Sequence, residues 1–181
     1  EEIGIPYVIG GSVASSLHGI PRATQDVDIV VNLTSSHVKS LLSRLEDRFY
    51  VDEGAVRDAI RRSSSFNIIH LESMLKVDVF ICGEDALKQE ELARARRITV
   101  DPIGGDTLLV ADATDIILQK LIWYELGNRV SERQWRDVIG VIQVSGDRLD
   151  MQYLYRWAIN KNLWSLVEQA FAEAGRSLDK T

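Results

Sequence analysis

The segment Asp26-Val27-Asp28-Ile29-Val30-Val31 sets two carboxylates at alternate positions of an otherwise apolar, β-branched run. A run of that kind is a strand, and its period of two turns both acids to one face while Val27 and Ile29 point to the other. Two like charges so spaced repel, and an apolar strand carries them at a cost unless a cation lies between or in front of them. A hard divalent ion such as magnesium takes a few carboxylate oxygens together with phosphate oxygens, so the pair points to a metal-nucleotide site. Lys76-Val77-Asp78-Val79-Phe80-Ile81 repeats the anomaly, with one acid in the middle of a β-rich run. If this strand lies near the first, Asp78 becomes a third carboxylate of the cluster, and two metal ions can be held.

Upstream, Tyr7-Val8-Ile9 reads as a short strand that ends at Gly10-Gly11-Ser12, where a helix opens and runs to Gly19. Glycines at a helix N-terminus bare their backbone N–H groups at the positive end of the dipole, a favourable place for phosphate oxygens, and Ser12 adds a hydroxyl. Arg22 and Thr24 precede the acid-bearing strand, where they either steer a triphosphate or cap the turn. Taken singly, each feature has a plainer reading: Asp-x-Asp as an exposed edge face, Gly-Gly-Ser as a turn with an N-cap, Asp78 as a satisfied half-buried acid. Their order along the chain gives them weight together.

The chain has 181 residues, 45% of them hydrophobic, and 21 basic against 27 acidic side chains, a formal net charge of -6. That composition buries a good core and excludes disordered, fibrous and collagenous classes. The acid excess is spread along the chain, which argues against a broad nucleic-acid-coating surface. No apolar run reaches the length of a membrane span and no targeting segment shows, so no membrane partner is expected. The single cysteine, Cys82, allows no internal disulfide, and His18, His37 and His70 are too scattered to ligate zinc; a reducing, cytoplasmic setting is expected. The chain lacks an initiating Met and enters a strand pattern almost at once, as expected of a fragment whose first helix is missing.

Periodicity gives the remaining expectations. A helix is expected over Ser36 to Asp47, a hairpin of strands Ser65 to Leu71 and Leu75 to Ile81, and a helix from Asp85 to Ala95. Short strands at 97–101 and 107–110 flank a second turn at Pro102-Ile103-Gly104-Gly105-Asp106. After Asp112 the pattern is helical throughout, over Asp112 to Leu126, Glu132 to Val144, Met151 to Asn160 and Leu163 to Ala174. Ser131 opens the second of these with a capping box. All four tryptophans, Trp123, Trp135, Trp157 and Trp164, fall in this part and are expected to fill a helical core. The expected division is 1–110 and 111–181.

Strand, Gly10-Gly11-Ser12, helix, then Arg22-x-Thr24-x-Asp26-x-Asp28 and a later strand acid: this pattern resembles the nucleotidyltransferase superfamily that includes DNA polymerase β. The stretch from Gly10 to Gly19 followed by Arg22 to Ile29 looks most like the branch of the AbiEii-type abortive-infection toxins. The resemblance covers residues 8–31 closely and 75–81 well. It implies an α+β fold, a mixed β-sheet flanked by helices with a C-terminal helical bundle, and transfer of a nucleoside monophosphate from a nucleoside triphosphate to an acceptor hydroxyl. It further implies magnesium on Asp26, Asp28 and Asp78, with Asp78 alternatively taking the acceptor's proton, and the triphosphate at Gly10, Gly11 and Ser12. An RNA or tRNA end as acceptor and an antitoxin protein as partner belong to the same implication. Aminoglycoside and lincosamide adenylyltransferases use a similar core, which keeps a small hydroxylated acceptor open, and a non-catalytic nucleotide-binding module is the reading of another class.

The same branch has a lysine on one helix and an Arg-Asp pair on the next, which map onto Lys120 and onto Arg136-Asp137. Lys120 lies among Ile116, Ile117, Leu121 and Tyr124, so its amine either snorkels out or reaches a buried anion. The implied role is to neutralise charge on the phosphates. Arg133, Arg136 and Asp137 share the polar side of their helix, and Arg133 to Asp137 is an i,i+4 pair, which reads as a solvated helix face.

Overall fold

The computed structural model describes residues 3–101 and 104–178, so Pro102 and Ile103 of the second expected turn lie outside the described residues. The chain divides into two compact units, one of residues 1–10 and 24–111, the other of residues 11–23 and 112–181. The helical pattern after Asp112 falls in the second unit, which also takes the segment 11–23 that periodicity groups with the strands.

The first unit is built on a seven-stranded mixed sheet. Its strands are β1 Tyr7–Ile9, β2 Asp26–Val31, β3 Phe49–Tyr50, β4 Ser65–His70, β5 Lys76–Ile81, β6 Arg96–Thr99 and β7 Thr107–Val110, in the order β3-β4-β5-β2-β1-β7-β6. β4 and β5 form the expected hairpin, while β2 and β5 run parallel, with Asp26 opposite Lys76, Val27 opposite Val77 and Asp28 opposite Asp78. Partners across a ladder share a face, so the three acids stand on one side of the sheet. On the other side Ile29, Val31, Val77, Val79, Ile81, Phe66 and Ile68 join one apolar cluster, completed by Val38, Leu41, Val56 and Ala59.

Those last four residues come from helices α2, Val38–Leu45, and α3, Glu53–Arg62. α3 is absent from the expectation. Asp52 caps it, accepting from the Ala55 amide at 2.6 Å, and Val56 and Ala59 are buried while Arg57, Arg61 and Arg62 stay outside. Its apolar stripe is narrow among many charges, so the periodicity is faint. A fourth helix, α4 Ala86–Arg94, is capped by Asp85 and lies against β1 and β2.

The second unit contains α1 Gly11–His18, α5 Ala113–Leu126, α6 Glu132–Ser145, α7 Met151–Asn160 and α8 Trp164–Glu173. Aliphatic side chains fill its centre: Ile116, Ile117, Leu118, Leu121, Val138, Val141, Ile142, Leu154, Leu166 and Val167 are all buried. Of the tryptophans expected there, Trp157 is buried, but Trp123 is half exposed, Trp135 donates its indole N–H to Glu173, and Trp164 meets the edge of Tyr155. Branched aliphatics fill such a centre readily, whereas a large indole with a polar N–H is seldom fully buried. No described helix is long and apolar enough to cross a membrane.

α1 joins this unit by close approach to α6. A Cβ on Gly19 would meet the Val141 backbone nitrogen at 2.8 Å and the Gly140 carbonyl carbon at 2.9 Å, and one on Gly140 would meet Ile20 at 3.3 Å. Backbone on both sides cannot yield to a methyl group. Gly19→Ala is therefore expected to destabilise the protein by about 1–3 kcal/mol, as overpacking does, and to lower the melting temperature by about 2–4 °C for each of them. Calorimetry of the variant checks this, and an unchanged melting temperature contradicts the packing account.

Candidate active site

The acid-bearing face of the first unit is set by the β2-β5 register. Thr24 donates its hydroxyl to Asp26 Oδ1 at 2.7 Å and so orients that carboxylate at the entry to the strand. The Gly10 amide donates to the Asp28 carbonyl at 2.9 Å, which fixes the end of β1 beside the second acid. Asp78 is held on both oxygens. Lys76 Nζ is 2.7 Å from its Oδ2, and the Asn67 amide, with its nitrogen facing the carboxylate, donates to its Oδ1 at 2.6 Å. The hydrogen bond to Asp78 is the main reason the Lys76 ammonium titrates above its ordinary range, and the charges of Asp78, Asp26 and Asp28 add to it.

All three acids offer hard oxygen donors on one sheet face, which is the donor chemistry that suits magnesium. Among the described residues, however, no three His, Cys, Asp or Glu side chains are grouped closely enough to hold a metal ion. Asp78 in particular is turned to Lys76 and Asn67.

In the second unit the chain leaves Gly10 through Gly11, whose φ of +55° lies in the left-handed region that favours glycine. α1 begins there, and its first-turn amides have no partner within the helix. Ser12 Oγ accepts from Arg22 Nη2 at 2.5 Å. The same guanidinium grips Asp137 with two bonds, Nε to Oδ1 at 2.8 Å and Nη2 to Oδ2 at 3.0 Å. Lys120 Nζ reaches Asp137 Oδ2 at 2.8 Å.

This network decides between the two readings of Lys120 and corrects the reading of Asp137. Lys120 does not snorkel: its side chain is 5% exposed and ends on a buried carboxylate. Asp137 does not lie on a solvated face and does not pair with Arg133; it is buried between Lys120 and Arg22, and Arg136 pairs instead with Glu132 at 3.0 Å. The i,i+4 rule favours a local pair worth a few tenths of a kcal/mol, which a buried bidentate arginine outweighs. The sequence signal for Asp137 was the Arg-Asp pair itself; its partner Arg22 lies too far away in the chain for spacing to reveal.

Burial alone would raise the Asp137 carboxyl, but hydrogen bonds from Arg22 and Lys120, and their charges, hold it below its ordinary value of 3.8. A depressed folded value means that the stability this carboxylate contributes is present above the unfolded value and is lost as pH falls through the lower folded one. Asp137→Asn is expected to cost about 3–5 kcal/mol at neutral pH, because it strands the Lys120 ammonium in the interior. Denaturant unfolding across a pH series checks both parts: the gap between wild type and variant should hold above about pH 4 and narrow below it. A variant as stable as wild type at neutral pH contradicts the assignment.

No protein-family model and no curated protein matches the chain. Among solved structures, an antigenic nucleotidyltransferase-like protein from Paracoccidioides brasiliensis is similar at 18% identity with a TM-score of 0.52, over 96% of this chain and 85% of that one. The antibiotic-resistance factor ANT(2″)-Ia is similar at 12% identity with a TM-score of 0.53, over 95% and 90%. The lincosamide antibiotic adenylyltransferase LnuA, with lincomycin bound, superposes with a TM-score of 0.49 at 12% identity, over 79% and 89%. The α+β arrangement of this chain is a nucleotidyltransferase-like fold.

Proposed function

We propose that the protein is a metal-dependent nucleotidyltransferase that moves a nucleoside monophosphate from a nucleoside triphosphate to an acceptor hydroxyl. The observation that carries this reading is the in-register pairing of Asp28 with Asp78, with Asp26 on the same face, on a sheet whose opposite face is the core. Carboxylates gathered on one face in this way repel one another, and a cation among them relieves the repulsion. The nucleotidyltransferase-like fold supports the same reading.

In the reaction, the acceptor oxygen bonds to the α-phosphorus, the bond from that phosphorus to the bridging oxygen breaks, and pyrophosphate leaves with the electron pair. Asp26 and Asp28 would hold magnesium, which would draw the phosphate oxygens into line and neutralise their charge. Asp78 would either join them as ligand to a second ion, the hydroxyl proton then passing to solvent, or take that proton on a carboxylate oxygen. Gly11 and Ser12, which follow Gly10 in the turn, present backbone and hydroxyl donors to the β- and γ-phosphates. Thr24 keeps Asp26 oriented, and Arg22 keeps Ser12 and Asp137 in place. Lys120 is the cation that the nucleotidyltransferase resemblance assigns to the charge on the phosphates.

The acceptor is of one of two classes. An RNA or tRNA end follows from the toxin resemblance, with an antitoxin as partner. A small hydroxylated molecule is favoured by the net charge of -6, since RNA binding draws on lysine and arginine contacts with phosphate. Label from α-labelled nucleoside triphosphates, with magnesium and a cell extract, should enter an acceptor with wild type, and its size class separates the two. Asp28→Asn should lower transfer at least about 100-fold while its circular dichroism stays that of wild type. A folded Asp28→Asn protein with full activity contradicts the proposal, and wild-type nucleotide binding without transfer to any acceptor favours a binding module.

A further inference from the structure

Lys76 stands in an unusual place for a cation. The parallel register sets it opposite Asp26 on β2, and the strand period sets it two residues before Asp78 on the same face of β5. The four positions form a square of three carboxylates and one ammonium, in which Lys76 neighbours Asp26 across the ladder and Asp78 along the strand. Its ammonium is seated on Asp78 Oδ2 at 2.7 Å, and Asn67 occupies the other oxygen of that carboxylate. The Asp78 side chain is mostly buried, at 18% exposed, so few other directions are open to it.

An ammonium and a divalent cation on one carboxylate oxygen repel each other, and with Asp78 mostly buried the repulsion at that range is only partly screened, although Lys76 itself is 44% exposed. We infer that Lys76 is a positioning residue of this site: it holds Asp78 as a resident counter-cation, and a metal ion gains Asp78 as a ligand only by displacing the lysine. The inference rests on the proposed metal-nucleotide role of Asp26 and Asp28. It deepens that role by making the third carboxylate conditional. The first ion binds through Asp26 and Asp28, and recruitment of Asp78 has to overcome Lys76, which the charge of an incoming triphosphate helps to draw away.

The probe is Mn²⁺ alone, counted by the loss of free-ion signal in electron paramagnetic resonance, on the full chain. Compared with wild type, Lys76→Met is expected to bind an additional Mn²⁺, or to bind its weakest Mn²⁺ at least about tenfold more tightly, as removal of a neighbouring positive charge implies. Lys76→Arg, which keeps the charge, is expected to behave as wild type. The same stoichiometry and affinity in wild type and Lys76→Met, with loss of binding in Asp28→Asn, overturns the role of Lys76 and leaves the metal site standing. Absence of Mn²⁺ binding from all these proteins overturns both. Tightening in Lys76→Arg equal to that in Lys76→Met also overturns it, since charge would then not be the cause.

Discussion

The parallel ladder between β2 and β5 is the constraint on which the rest of the first unit depends. Because its side chains alternate, the same six-residue pairing delivers Ile29, Val31, Val77, Val79 and Ile81 to the core under α2 and α3, and Asp26, Asp28 and Asp78 to the opposite face. A slip of one residue would drive the acids into the core and the valines out of it, so burial on one side fixes the geometry on the other. The acids are therefore spaced by backbone hydrogen bonds rather than by loops, which is how a site acquires its shape before a ligand arrives.

The second unit manages charge differently. There Asp137 and Lys120 are brought inside and paired, with Arg22 forked onto Asp137 from a half-buried position. Breaking such a group is far more damaging than its net contribution suggests, because loss of Asp137 leaves the Lys120 charge buried. The segment from Gly11 to Ala23 is tied to this unit by the close approach of Gly19 to the α6 backbone, by Arg22, and by the Ser145 hydroxyl, which donates to the His18 carbonyl.

Local sequence carries some of these features and not others. Alternation along a strand is a local property, so Asp26, Asp28 and Asp78 stand out from the chain alone, and the Asp85 cap and the β4-β5 hairpin are equally local. The partner of a strand is not local. Lys76 reads as an ordinary end residue until β5 is laid beside β2, when it is found among three acids. Asp137 misleads for a related reason, since Arg133 lies at the spacing of a surface pair while the true partner arrives from residue 22. The tryptophans show the limit of composition: their number fits a core, but only the positions of their neighbours decide that Trp157 enters it and Trp123 does not.

The acid-bearing face of this sheet is proposed to receive a metal-nucleotide. Paramagnetic broadening by Mn²⁺ with a non-hydrolysable nucleoside triphosphate, read on assigned backbone amide resonances, tests it most directly. Amides of Asp26, Asp28 and Asp78 and of the Gly10-Gly11-Ser12 turn are expected to broaden first, and Asp28→Asn to abolish the pattern. Broadening that spares these residues and centres elsewhere on the protein would contradict it.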